Sequence, residues 1–140
     1  MFLLDTNVLS ELRRADRCDV SVRKWANGVS GDEIWLSVIS ILEIEQGILL
    51  ISRRDTVQGA RLRDWFEDQI LFGFEGRILP VDTAVARRFA VLHVPDPRAD
   101  RDALIAATAL VHGLTVATRN VSDFEPTGVA FLNPWLDASG

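Results

Sequence analysis

Along its 140 residues the chain alternates short β-like runs with longer helical ones, which predicts an α/β fold: a three-layer α/β/α domain with a mostly parallel central sheet. Two further observations support that reading. There is no internal repeat, low-complexity tract or Pro/Gly/Ser-rich linker, so residues 1–140 read as a single domain. The composition, 48% hydrophobic and 25% charged, is that of an ordinary globular protein able to bury a core on both faces of a central layer.

Residues 2–4, Phe-Leu-Leu, read as a buried strand, and residues 7–13 as a helix for which Asn7 suits the N-cap. Residues 19–30 form a second helical stretch. A short strand at 34–36 leads to Ser37, which can cap the apolar helix of 38–52. The amphipathic segment 54–72 predicts one long helix, and 77–81 a strand. Asp82 then caps a helix over 83–93, which Pro95 and Pro97 terminate. The next helix opens at Asp100 or Arg101 and runs to His112, where Gly113 suits a left-handed C-cap. Strands at 114–118 and 129–132 complete the series.

The bulk numbers exclude several classes. The longest apolar stretches, 48–51 and 103–111, are far shorter than the roughly 18–20 residues a membrane span requires. The N-terminus has no basic region and an acid at position 5, so it reads as a strand and not as a signal peptide, which places the protein in the cytoplasm. The lone Cys18 fits a reducing compartment and has no partner at metal-ligand spacing. A net charge of -5 argues against a protein that coats nucleic acid by charge alone, without excluding an enzyme that acts on it. Fourteen of the fifteen basic residues are arginine, several in pairs (Arg13 and Arg14, Arg53 and Arg54, Arg87 and Arg88) expected on solvated helix faces.

In open parallel sheets ligands bind in the crevice at the carboxyl ends of the strands, and four acidic positions lead there. Asp5 follows the first strand, with Thr6 and Asn7 beside it; its capping the next helix is the alternative, weakened by Asn7's availability for that cap. Glu43 lies in a helix apolar on nearly all sides and hence mostly buried, where a carboxylate is costly unless paired or metal-bound. Gly47, one turn on, suggests that another segment or a ligand approaches the face of Glu43, while Glu45 points to solvent. Asp102 opens a second apolar helix; Asp100 can equally serve as the acid that favours the helix dipole, leaving one of the two spare. After the strand at 114–118, Asp123 or Asn120 reaches the same crevice, with turn formation as the competing explanation for both.

Two carboxylates about 4 Å apart repel by about 4 kcal/mol at an effective dielectric near 20. A divalent cation removes the conflict, and an all-oxygen donor set favours Mg²⁺ or Mn²⁺ over Zn²⁺. One or two such ions can polarise a phosphate oxygen and generate a hydroxide nucleophile, so the constellation predicts phosphodiester hydrolysis.

At these residues the chain resembles the PIN-domain ribonucleases, specifically the VapC-type toxins of bacterial toxin-antitoxin pairs. The matching pieces are Leu4-Asp5-Thr6-Asn7, Ser37 with Glu43 and Gly47, Asp102 leading Ile105-Ala106-Ala107-Thr108-Ala109, and Thr118-Arg119-Asn120 with Asp123-Phe124. Gly76-Arg77-Ile78-Leu79-Pro80 and Asn133-Pro134-Trp135 look like the FitB-like subgroup. The resemblance implies that Asp5, Glu43, Asp102 and a fourth group hold Mg²⁺ or Mn²⁺ and cleave RNA, leaving a 3′-hydroxyl and a 5′-phosphate. Family members carry the fourth acid at the position of either Asn120 or Asp123. With an amide at 120, Asp123 is favoured over Asn120 as the fourth ligand, and Thr6, Asn7, Thr118 and Asn120 support the site. The resemblance also implies a homodimer silenced by a cognate DNA-binding antitoxin.

Other chemistries fit less well. His93 and His112 sit at predicted helix ends, where the dipole accounts for them. A phospho-acceptor domain would need a lysine at a late strand end, and the sole lysine, Lys24, lies in an early helix. The serious rival is a catalytically inactive interaction module of the same fold that binds a protein partner. Trp25, Trp35, Trp65 and Trp135 are expected in core or dimer packing and not as base-stacking platforms.

Overall fold

In the computed structural model, which describes residues 1–136, five strands lie side by side: β1 (Phe2–Leu4), β2 (Ile34–Ser37), β3 (Ile78–Leu79), β4 (Thr115–Ala117) and β5 (Phe131–Leu132). Their order is β3-β2-β1-β4-β5 and every pairing is parallel. From β1 the chain crosses to β2 on one side and later returns to β4 on the other. The topological switch point, where such sheets bind ligands, therefore falls between β1 and β4.

The helices are α1 (Thr6–Leu12), α2 (Val20–Asn27), α3 (Val38–Ser52), α4 (Thr56–Trp65), α5 (Thr83–Leu92), α6 (Asp100–His112) and α7 (Val121–Phe124). Side chains alternate across each strand, so adjacent residues feed opposite cores. Leu4, Leu36 and Ala117 join Val8, Val22, Ile48, Leu62 and Phe66 on one face. Leu3 and Val116 join Ile39, Ile105, Ala106, Ala109 and Phe124 on the other. The expected three-layer α/β/α arrangement is the observed one, with a sheet that is wholly parallel.

Several local expectations are corrected. Asp5, not Asn7, caps α1: its side chain accepts from the Thr6 backbone N–H, and Asn7 is already inside the helix. The 19–30 helix is shorter, with Asp19 as its cap. The 54–72 segment winds as α4 and then as a π-helical stretch, Phe66–Phe72, that keeps Leu62, Phe66 and Ile70 buried on one side. The presumed loop carrying Asp123 is α7, followed by a 3-10 turn at Glu125–Thr127. Ser37, Asp82 and Gly113 cap as expected, Gly113 at a φ of 68°.

α3 and α6 look alike in sequence but not in place. Six residues of α6, from Ala103 to Ala109, are buried. In α3, Ile39, Ser40, Ile44 and Ile48 face inward while Leu42, Leu49 and Leu50 are exposed, which corrects the reading of a helix buried on nearly all sides. Among the described residues outside its own helix backbone, nothing lies within 4 Å of a Cβ added at Gly47, whereas one added at Gly59 would stand 2.9 Å from Ser52 Cα. Glu45 is only half exposed and forms an ion pair with Arg63. Among the described residues no helix is long and apolar enough to cross a membrane.

Candidate active site

The site is built from the ends of β1 and β4, the first turns of α1 and α6 and the second turn of α3. Asp5, next after β1, is 4% exposed. Its Oδ1 accepts from Thr6 N at 2.8 Å, and its Oδ2 from Thr118 Oγ1 at 2.7 Å and from Asn7 Nδ2 at 3.1 Å. Burial raises its pKa, with the Glu43 charge adding to the effect, against the lowering by the hydrogen bonds from Thr118, Thr6 and Asn7. Three local partners thus hold the carboxylate in one orientation, and none of them neutralises its charge.

Glu43 projects from α3 towards Thr6, whose hydroxyl donates to Oε1 at 2.8 Å. Thr6 Oγ1 also lies 3.0 Å from the Oγ of the wholly buried Ser40. On its other side Glu43 Oε2 is 3.6 Å from Arg101 Nη1, while Arg101 Nη2 donates to Gln46 at 3.0 Å. Asp102, in the first turn of α6, is pushed up to about 6, first by burial, then by the charges of Asp5, Asp123 and Glu43 and a hydrogen bond with Asp123. The spare acid of this turn is Asp100, exposed and 3.4 Å from His93 Nε2.

Asp5, Thr6, Asn7, Glu43, Asp102 and Asn120 line one cleft of about 520 Å³ at the switch point. Thr118 lies buried beneath it and accepts from Asn120 N at 2.9 Å. Asp123 is outside the lining but close enough to Asp102 to act on it by charge and hydrogen bond. Among the described residues no three His, Cys, Asp or Glu side chains stand together as a ready-made metal shell. The donor chemistry nevertheless fits a hard cation: oxygen only, with Asp5 and Asp102 crowded together and, among the described residues, no ion pair to either. Neither histidine lines the cleft. A larger, mainly apolar groove of about 750 Å³ between α2 and the segment after β5 is lined by no acid among the described residues.

Sequence reasoning missed Ser40, Glu11, Arg101, Arg119 and Trp135. Ser40 and Glu11 carried no local signal, since a small hydroxyl is cheap to bury in an apolar helix and an acid near the end of a short helix reads as solvated. The adjacency of Arg101 to Asp102 and of Arg119 to Asn120 was visible, but not the direction in which either guanidinium points.

An Asp-capped first helix and a second acid-bearing helix start, meeting at the switch point of a five-stranded parallel sheet, place the chain in a definite class. It belongs to the PIN-domain family, whose model matches residues 2–126. Within that family it is similar to the VapC ribonuclease Y4jK of Sinorhizobium fredii, 36% identical over 99% of this chain and 100% of that protein. It is 39% identical to the toxin FitB of Neisseria gonorrhoeae, over 98% of this chain and all of FitB. A solved structure of FitAB bound to an IR36 DNA fragment superposes with a TM-score of 0.87 at 36% identity, covering 97% of this chain and 96% of that one.

Proposed function

We propose that this chain is a metal-dependent endoribonuclease, the toxin half of a type II toxin-antitoxin pair. The observation that carries the reading is the crowding of Asp5, Glu43 and Asp102 around one cleft at the sheet's switch point, with Asp102 held to about 6 by burial and by its acidic neighbours. Asp5, Glu43, Asp102 and Asp123 would hold Mg²⁺ or Mn²⁺, which when bound supplies Lewis-acid polarisation of the phosphate and an activated water. Thr118, Asn7 and the Thr6 backbone aim Asp5; the Thr6 hydroxyl aims Glu43; Asn120 lines the wall where a substrate oxygen can be bound. The relatives named ribonuclease and toxin support the reaction, and the DNA-bound FitAB complex supports a DNA-binding antitoxin as partner. The exposed leucines of α3 support a homodimer.

The test uses the purified chain with labelled RNA and with calorimetry in parallel. Wild type is expected to cleave only with Mg²⁺ or Mn²⁺ and to release heat on binding either ion; Asp5→Asn loses both. The absence of a ready-made shell favours one rival, an inactive interaction module. No cleavage and no heat at millimolar metal would overturn the nuclease reading and favour that rival.

A further inference from the structure

Two arginines on the cleft wall, Arg13 and Arg119, differ from Arg14, which lines the same cleft, in how they are held. Arg119 Cζ lies 5.0 Å from the centre of the Trp135 ring, and Arg13 Cζ 5.8 Å from that of Trp65. Neither forms an ion pair with a carboxylate among the described residues, although acids line the same cleft. A guanidinium attracted to an aromatic ring, and not to a carboxylate, keeps N–H donors available for a phosphate. Arg14, by contrast, is committed to Glu11 at 3.3 Å.

Arg13 also borders a second depression, of about 530 Å³, with Gln58, Arg61 and Trp65 from α4. The acidic cleft and this depression therefore share one lining residue, the cationic Arg13. A polyanion is repelled by the floor acids and must be held from the walls, and the walls supply arginines beside indole rings.

We propose that Arg119 on Trp135 and Arg13 on Trp65 are phosphate contacts of a single-stranded RNA track that leaves the acidic cleft over Arg13 and continues into the depression beside Gln58 and Arg61. The inference rests on the ribonuclease reading and deepens it by assigning a substrate subsite away from the reacting centre. Binding there is sequence-tolerant, since phosphates and ring faces are common to all nucleotides. Arg61 serves only strands long enough to reach it.

The test measures anisotropy of a labelled 12-nucleotide single-stranded RNA in EDTA over a salt series, and kcat and KM with Mg²⁺ for that strand and for a dinucleotide. Arg119→Ala is expected to weaken binding and raise KM about tenfold for both substrates. Arg13→Ala and Arg61→Ala do so for the long strand alone. Each lost phosphate contact flattens the salt slope by about 0.7 and leaves kcat and the heat of Mg²⁺ binding unchanged. Arg13→Lys restores the slope but not the full affinity. If wild type cleaves and all three variants match it in KM and slope, the track is overturned and the nuclease reading stands. If wild type binds RNA through these arginines but never cleaves, the track stands and the nuclease reading falls. Loss of affinity for a co-purified protein partner, with RNA binding intact, would assign the depression to that partner and overturn the track.

Discussion

Glu11 and Asp102 border the same cleft, yet the fold treats the two acids in opposite ways. Glu11, 8% exposed, has its oxygens taken up by the fold: Arg14 Nη1 lies 3.3 and 3.4 Å from them, and Asp19 N donates to Oε2 at 3.1 Å. It ties the end of α1 to the start of α2. Asp102 has three acids acting on it and no ion pair among the described residues, so ionising it costs the folded state free energy. Burial of a carboxylate therefore does not by itself mark chemistry. What separates the two is whether the fold supplies the opposite charge or leaves it to something that binds.

That contrast can be broken by stability measurements, taken from the largest effect to the smallest. Glu11→Ala is expected to lower the unfolding free energy by about 1–3 kcal/mol, because Asp19 N loses its acceptor and Arg14 its partner; urea titration checks it, and an unchanged midpoint would remove Glu11 from the framework. Asp102→Asn should act in the other direction and by less, raising Tm at pH 7.5. The sign follows from linkage. The folded pKa of about 6 lies above the ordinary 3.8, so between those values the folded chain holds a proton that the unfolded chain gives up. Stability from this group is complete below about 3.8 and lost as pH rises through about 6. The gain in Asp102→Asn is therefore full above pH 6 and absent near pH 4, and a gain independent of pH would mean that crowding is not its cause. Smallest of the three, 10 mM Mg²⁺ should raise the wild-type Tm by about 2 °C at pH 7.5 and leave that of Asp102→Asn unmoved, as read by scanning fluorimetry. Equal shifts in both proteins would place the ion elsewhere.

Much of the framework was readable from local chemistry. Alternating short apolar runs and helical periods gave the layers, and cap residues such as Ser37, Asp82 and Gly113 fixed helix ends, because each acts within about four residues of itself. The placement of acids after β1 and at the start of α6 followed from the same local reading. Legibility failed where partners are remote. Asp5 and Asn7 were both plausible caps of α1; Thr118, 113 residues from Asp5, holds the aspartate whose backbone position makes it the cap. α3 and α6 share an apolar composition, yet only α6 is enclosed, since enclosure depends on which helices pack on either side. The π-helical turn after Trp65 left no trace because the apolar spacing of Leu62, Phe66 and Ile70 also suits an ordinary helix.

By itself, then, the order of residues determined the α/β class, the strand and helix succession and a short set of acids at strand and helix ends. Those features arise from periodicity and capping, which operate over one or two turns of chain. Only the tertiary structure decided that Glu43 would meet Thr6, that Glu11 would be neutralised while Asp102 was not, and that Arg13 and Arg119 would rest on tryptophans at the rim. Charge and stacking act through space over a few ångströms, between groups that can be more than a hundred residues apart along the chain.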